Sequence, residues 1–200
     1  RFRRRWWRIR RRRFVGELVM AMANEAIPTQ HKTHDVSRWL RHLGTWRAHA
    51  RWLFPDKALD ALEAAIRDSE KEHRCEIRLV IEAAMPLAAV WHGHTCRQRA
   101  VHLFRQLGVA HTGERTGILL YINIADHDIE LIADKGVDAL VSPRTWDTVV
   151  AQMSAGFRDE RYVQSVLDAL NTLRGIAREF LPAHAGAAPD NALTDRPLML

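Results

Sequence analysis

The sequence predicts a single α/β domain, on three observations. The run Ile118 to Ile124 is almost wholly apolar, as a central strand covered on both faces requires. Cys75 to Glu82, CEIRLVIE, alternates Ile77, Leu79 and Ile81 with polar partners, the period of a strand with one buried face. Around these runs lie segments whose apolar residues recur every three or four positions, the period of helices. At 200 residues with 47% hydrophobic content, the chain can fill one good core and is too short for two large ones.

Each element follows in order. Residues 1–14, RFRRRWWRIRRRRF, cannot bury a core and read as an Arg/Trp-rich tail, disordered alone. Residues 15–54 read as a helical lead-in, with Trp39, Leu40, Leu43, Trp46 and Trp52 spaced loosely as an apolar face. His42 and His49 fall on one side of it, with no acid or cysteine at ligand spacing to suggest a metal. Residues 55–182 form the main domain. Pro55-Asp56 starts a helix with Leu59, Leu62 and Ile66 inward, and the CEIRLVIE strand follows. Thr95 caps a second helix carrying Ala100, Leu103, Phe104 and Leu107, stopped by Gly108. Ile118 to Ile124 turns back through Ala125-Asp126-His127 into a strand whose Ile129, Leu131 and Ala133 face one side, with Asp128, Glu130, Ile132 and Asp134 on the other. The alternation therefore assigns these acids to the wet edge of a sheet. Ser142-Pro143 opens a third helix, and a fourth runs from Tyr162 to Phe180 with Val163, Val166, Leu167, Leu170, Leu173 and Phe180 inward. Residues 183–200 read as a flexible tail.

Charge is unevenly placed. Nine of the thirty basic residues lie in the first thirteen positions, leaving 21 basic against 24 acidic residues, a net of −3 for the rest. The domain is thus mildly acidic, and nucleic-acid binding would rest on the tail alone. Arg3, Arg4, Arg5, Trp6, Trp7 and Arg8 have the chemistry of a membrane or nucleic-acid surface, arginine for phosphates and tryptophan for an interface. The alternative is a terminal extension with no selected role. Two cysteines fit neither a disulfide framework nor a zinc pattern, so a reducing, cytoplasmic compartment is expected, peripheral to a membrane if the tail binds one. No run of about 18 apolar residues would span a bilayer as a helix. Phe14 to Ala23 imitates a signal peptide, but Glu17 interrupts it.

The blocks ALDALEAAIRDSEKEHRCEIRLVIE, GILLYINIADHDIELIADKGV and FRDERYVQSVLDALNTL, in this order, resemble the TPM domain family over about Asp56 to Pro182. The closing NALTDRPLML is similar to an NELPDRPVVL ending in a bacterial branch of that family. The resemblance implies a three-layer αβα sandwich, with a mixed sheet of about four strands and helices on both faces. It also links the chain to repair of photosynthetic membrane complexes, an auxiliary receptor subunit, calcium binding and acid phosphatase activity. In the loop after the hairpin, Gly136 and Asp138 match the family's second glycine and acid, whereas Asp134 stands in place of its first glycine. The VVDxAG-like stretch before the first helix is absent, with Trp52-Leu53-Phe54-Pro55-Asp56 there instead, which weakens any inherited metal site.

Strands joined by a crossover helix run parallel, which brings Glu76, Asp134 and Asp138 to one end of the sheet and leaves Asp126 and Asp128 at the far end with Glu82. Carboxylates and carbonyls at the first end would suit calcium; ordinary solvated acids are the plainer reading. Arg97 and Arg99, at a helix N-terminus near His92 and His94, would attract an anion. No nucleophile and base pair stands out, and Cys96 is followed by helix rather than a glycine-rich cradle. The expectation is a non-enzymatic binding or assembly domain with an unknown protein partner, acting on a membrane protein or at a membrane surface, with calcium as cofactor. The alternative is a metal-assisted phosphomonoester hydrolase.

Overall fold

A computed structural model describes residues 35–45, 47–184 and 192–200. The Arg/Trp-rich tail, residues 15–34 of the lead-in and Trp46 lie outside the described residues. In chain order the elements are α1 (Val36–Gly44), α2 (Arg47–Leu53), α3 (Asp56–Glu70), β1 (Glu76–Glu82), α4 (Leu87–Trp91), α5 (Cys96–Gln106), a 3-10 turn (Val109–His111), β2 (Gly117–Asn123), β3 (Asp128–Ala133), α6 (Lys135–Asp138), α7 (Pro143–Arg158), α8 (Tyr162–Phe180) and β4 (Leu198–Met199).

The sheet order is β3-β2-β1-β4, with β1 parallel to β2 and β4, and β2 antiparallel to β3. Strand alternation sorts side chains into two cores. Ile77, Leu79, Ile81, Ile118, Leu120, Ile122, Ile129 and Leu131 pack against α3, α7 and α8, where Leu62, Trp146, Phe157 and Leu173 are buried. Val80, Leu119, Tyr121 and Ile132 face α5 with Ala100, Leu103 and Phe104. The result is the αβα sandwich with a mixed sheet of four strands and a helical lead-in. Close approach of α7 to α8 depends on Gly156, because a Cβ there would collide with the Ser165 side chain.

The ends of the helices follow local chemistry. Thr95 accepts from the Gln98 amide at 3.1 Å, and the Gln98 side chain returns to the Thr95 amide at 2.8 Å, a complete capping box. Gly108 closes α5 at φ 76°. Pro143 occupies the first turn of α7, but Ser142 makes no side-chain cap bond.

Four expectations are corrected. The C-terminal segment is not loose over its described part: Leu198 and Met199 pair with Val80 and Ile81, and the Leu200 amide donates to the Ile81 carbonyl at 3.0 Å. This is the fourth strand, and a two-residue strand has no period by which a sequence could announce it. The acids Asp128, Glu130 and Asp134 are buried, not at a wet edge, because α5 lies across their side of the sheet and supplies an arginine. Phe180, expected inward, is exposed at the end of α8. Finally, α1 is turned the other way: Leu40 and Leu43 are exposed and His42 is buried.

Candidate functional site

The carboxyl ends of β1 and β2 gather a dense set of polar side chains. Glu82 and Asn123 end their strands as register partners, and Asn123 pairs in turn with Asp128 on β3. Glu82 follows the alternation of Val80 onto the α5 face, where α5 projects Arg99. Arg99 Nη2 donates to Glu82 Oε1 at 2.6 Å and Nε approaches both oxygens at 3.1 and 3.2 Å. Tyr121 Oη donates to Glu82 Oε2 at 2.6 Å, Asn123 Nδ2 donates to Tyr121 Oη at 2.8 Å, and the Asp126 amide donates to Asn123 Oδ1 at 2.9 Å. One chain of hydrogen bonds therefore runs from α5 through two strands into the hairpin turn.

Asp126 is the second centre. Arg38 reaches it from α1 with Nη2 at 2.6 Å and Nε at 2.9 Å, and Arg41 Nη2 lies 3.6 Å away. The Cys96 thiol donates to Oδ2 at 3.2 Å. His42 Nδ1 accepts from the Met85 amide at 3.0 Å, so the ring proton sits on Nε2, 3.1 Å from Asp126 Oδ1 and off the line of an ideal hydrogen bond. Burial works against a charge on Asp126, but the close approach of His42 and the hydrogen bonds from Arg38 outweigh it and hold the carboxyl well below the usual carboxylate range. Burial, then the Asp126 charge, pushes the Cys96 thiol up, so it remains a proton donor. Burial and the Glu82 charge likewise raise the Tyr121 phenol.

Arg97 and Arg99 do attract anions, but the anions are the chain's own. Arg97 Nη1 lies 3.3 Å from Glu130 Oε2 and donates to the Leu131 carbonyl at 3.1 Å, while Arg99 holds Glu82.

At the other end of the sheet, Glu76, Asp134 and Asp138 are each engaged separately. Glu76 Oε2 accepts from the Ala192 and Leu193 amides at 2.9 and 2.8 Å, clamping the C-terminal segment. Asp134 caps α6 through the Lys135 amide at 2.7 Å, with its Oδ2 buried and lacking a hydrogen-bond partner. Asp138 accepts from Trp146 Nε1 at 3.2 Å, on the opposite face of the sheet. With β2 between β1 and β3, the backbones of Glu76 and Asp134 stand roughly 10 Å apart. Among the described residues, no group of three or more His, Cys, Asp or Glu could hold a metal ion. The three acids do not fit the calcium site expected from their shared end of the sheet.

The same end holds Glu70, which accepts from the Ile77 amide at 2.7 Å. Burial raises its pKa to about 8, helped by the charges of Asp195 and Glu76. The neutral acid is favoured in the fold, so its stabilising contribution is complete below about pH 4.5 and is lost as pH rises through about 8. Glu70→Gln keeps an acceptor for Ile77 and never ionises. It is expected to stabilise the protein by about 1–3 kcal/mol at pH 9 and by little near pH 5, read from urea melts at the two pH values. Equal effects at both would contradict the assignment.

Sequence reasoning anticipated that Glu82, Asp126 and Asp128 share an end of the sheet. It missed Arg38 and His42, whose partner lies 88 residues away from Arg38. The available signal was the pair of arginines and the histidine on one side of α1.

These features define a small αβα sandwich with an internally paired polar cluster where parallel pairing gives way to antiparallel. The chain belongs to the TPM domain family, whose profile matches residues 50–176, more than half its length. Among solved structures it is similar to the BA42 protein from the psychrophilic bacterium Bizionia argentinensis, determined by NMR, with 23% identity and a TM-score of 0.63 over 72% of this chain and 93% of that one. At that identity the likeness speaks for the fold alone. No curated protein matches the chain.

Proposed function

We propose that the chain is a binding and assembly domain, acting on a membrane protein or at a membrane surface, rather than a phosphomonoester hydrolase. The observation that carries this reading is the closure of the polar cluster. Glu82 and Asp126 are each held by arginine, the Cys96 thiol keeps its proton, and His42 Nδ1 is already taken by a backbone amide. A hydrolase needs a nucleophile beside a free base and a place for the transferred phosphoryl group. Here the candidate groups spend their hydrogen bonds on joining α1, α5, β1, β2 and the hairpin turn, so binding falls to the outer surface. No described helix is long and apolar enough to cross a membrane.

The test is a generic phosphatase assay on purified full-length chain with p-nitrophenyl phosphate, at acid and neutral pH, with and without added calcium or magnesium. No turnover above the blank is expected. Turnover that disappears in Asp126→Asn or Asp134→Ala would replace this reading with the hydrolase.

A further inference from the structure

The helix α1 is amphipathic in the inverted sense. At about 100° per residue, Val36, Leu40 and Leu43 form one stripe within roughly 60° of arc, and Arg38, Arg41 and His42 lie on the opposite side. The polar side faces the protein, because Asp126 neutralises it; the aliphatic side faces out, with Val36 at 56%, Leu40 at 55% and Leu43 at 50% exposure. Helix α2 is oriented in the ordinary way, with Ala50 and Leu53 buried, and adds one exposed aromatic, Trp52, at 77%. A globular helix buries its apolar stripe and wets its polar one. Here the polar stripe is paid for internally, leaving the apolar stripe for something outside the domain.

Charge selects the occupant. Residues 36–54 contain four arginines and no acid. Arg38 and Arg41 are turned to Asp126, whereas Arg47 and Arg51 are exposed on α2, Arg47 with its Nη2 donating to the Met199 carbonyl at 3.1 Å. The described chain starts at residue 35, and the sequence before it carries nine arginines with Trp6 and Trp7 in its first thirteen positions. Exposed aliphatic and tryptophan side chains with arginine in excess over the exposed Asp35 and Asp56 at the borders complement an anionic lipid surface: the apolar groups enter the acyl boundary and the guanidinium groups meet headgroup phosphates. A second copy presenting the same face would meet it with like charge.

We infer that the outward stripe of α1, Val36, Leu40 and Leu43, docks the domain peripherally onto an anionic bilayer, with the exposed Trp52 and Arg51 of α2 as further contacts. The inference rests on the binding reading above and names its partner. The network at Asp126 is the device that holds α1 in the orientation docking needs.

The test uses full-length chain in vesicle co-sedimentation, comparing phosphatidylcholine alone with phosphatidylcholine containing roughly one third phosphatidylglycerol. The wild-type chain is expected to partition onto the anionic vesicles and much less onto the neutral ones. Leu40→Asp with Leu43→Asp should reduce that partition about ten-fold or more, and Leu40→Ser with Leu43→Ser several-fold, with the thermal midpoint preserved because both positions are exposed. Partition unchanged in both variants would assign lipid binding to the Arg/Trp-rich tail and overturn the inference. Absence of partition onto anionic vesicles would also overturn it, as would self-association abolished by the same substitutions. In each of those cases the binding reading stands or falls separately, on the phosphatase assay.

Discussion

Replacing Glu82 by alanine is expected to lower stability by about 3 kcal/mol, the lower end of the cost of removing one partner from a buried ion pair. Glu82 is 2% exposed and receives both the Arg99 guanidinium and the Tyr121 hydroxyl. Its loss leaves a phenol with no exposure and an arginine side chain only 19% exposed, each short of its acceptor. The residual exposure of Arg99, which lets water reach it, keeps the estimate from the upper end of the range. For a chain of this size the thermal midpoint should fall by about 6–12 °C. Glu82→Gln should cost less, since its amide oxygen still accepts from Tyr121. Joining Glu82→Ala to Arg99→Met should cost clearly less than the sum of the two single changes, because the second removes the stranded charge. A drop below about 1 kcal/mol for Glu82→Ala would mean that the cluster contributes little to holding α5 on the sheet.

Asp126→Ala should be as costly in energy but different in kind. Asp126 is the common partner of Arg38, Arg41 and His42, all on α1, an element at the margin of the fold. Without the carboxylate, α1 has lost the reason to turn its polar side inward. The expected result is local: α1 amides exchange about a hundred-fold faster or more, corresponding to roughly 3 kcal/mol of lost docking, while the core strands β1 and β2 keep most of their protection. Hydrogen exchange by mass spectrometry resolves the two regions, and uniform loss across the sheet would contradict the local assignment. The pH dependence has a definite sign. The folded-state pKa of Asp126 is depressed, so its contribution is present above about pH 4 and is lost only as pH falls through the lower folded value. The wild-type α1 should therefore remain docked through the ordinary carboxylate range. The orientation of α1 also sets the outward stripe, so Asp126→Ala should weaken binding to anionic vesicles.

The two centres differ in how far they could be read ahead of the structure. Glu82 ends a strand with a clear two-residue period, so its face was legible, and the hairpin placed Asp126 at the same end. What covers them was not. Arg99 belongs to a helix whose stripe of Ala100, Leu103 and Phe104 was plain, but the side on which it crosses the sheet depends on the handedness and packing of the connection. The acids of β3 read as a wet edge because alternation reports which residues share a face and not what lies above that face. On α1 the usual inference from apolar spacing to burial held for Trp39 and failed for Leu40 and Leu43, since half-buried Asp126 made the polar side the better one to turn inward.

By itself, the sequence determined the α/β class, the strands β1 to β3, the helices α3, α5, α7 and α8, and the family, because periods of two and 3.6 residues and local caps act within a few positions. The tertiary structure alone decided the fourth strand at residues 198–199, the inversion of α1 and the pairing of each buried acid. These depend on partners dozens of residues away, and a charge is stable in a dry place only when its counterpart is brought there by the fold.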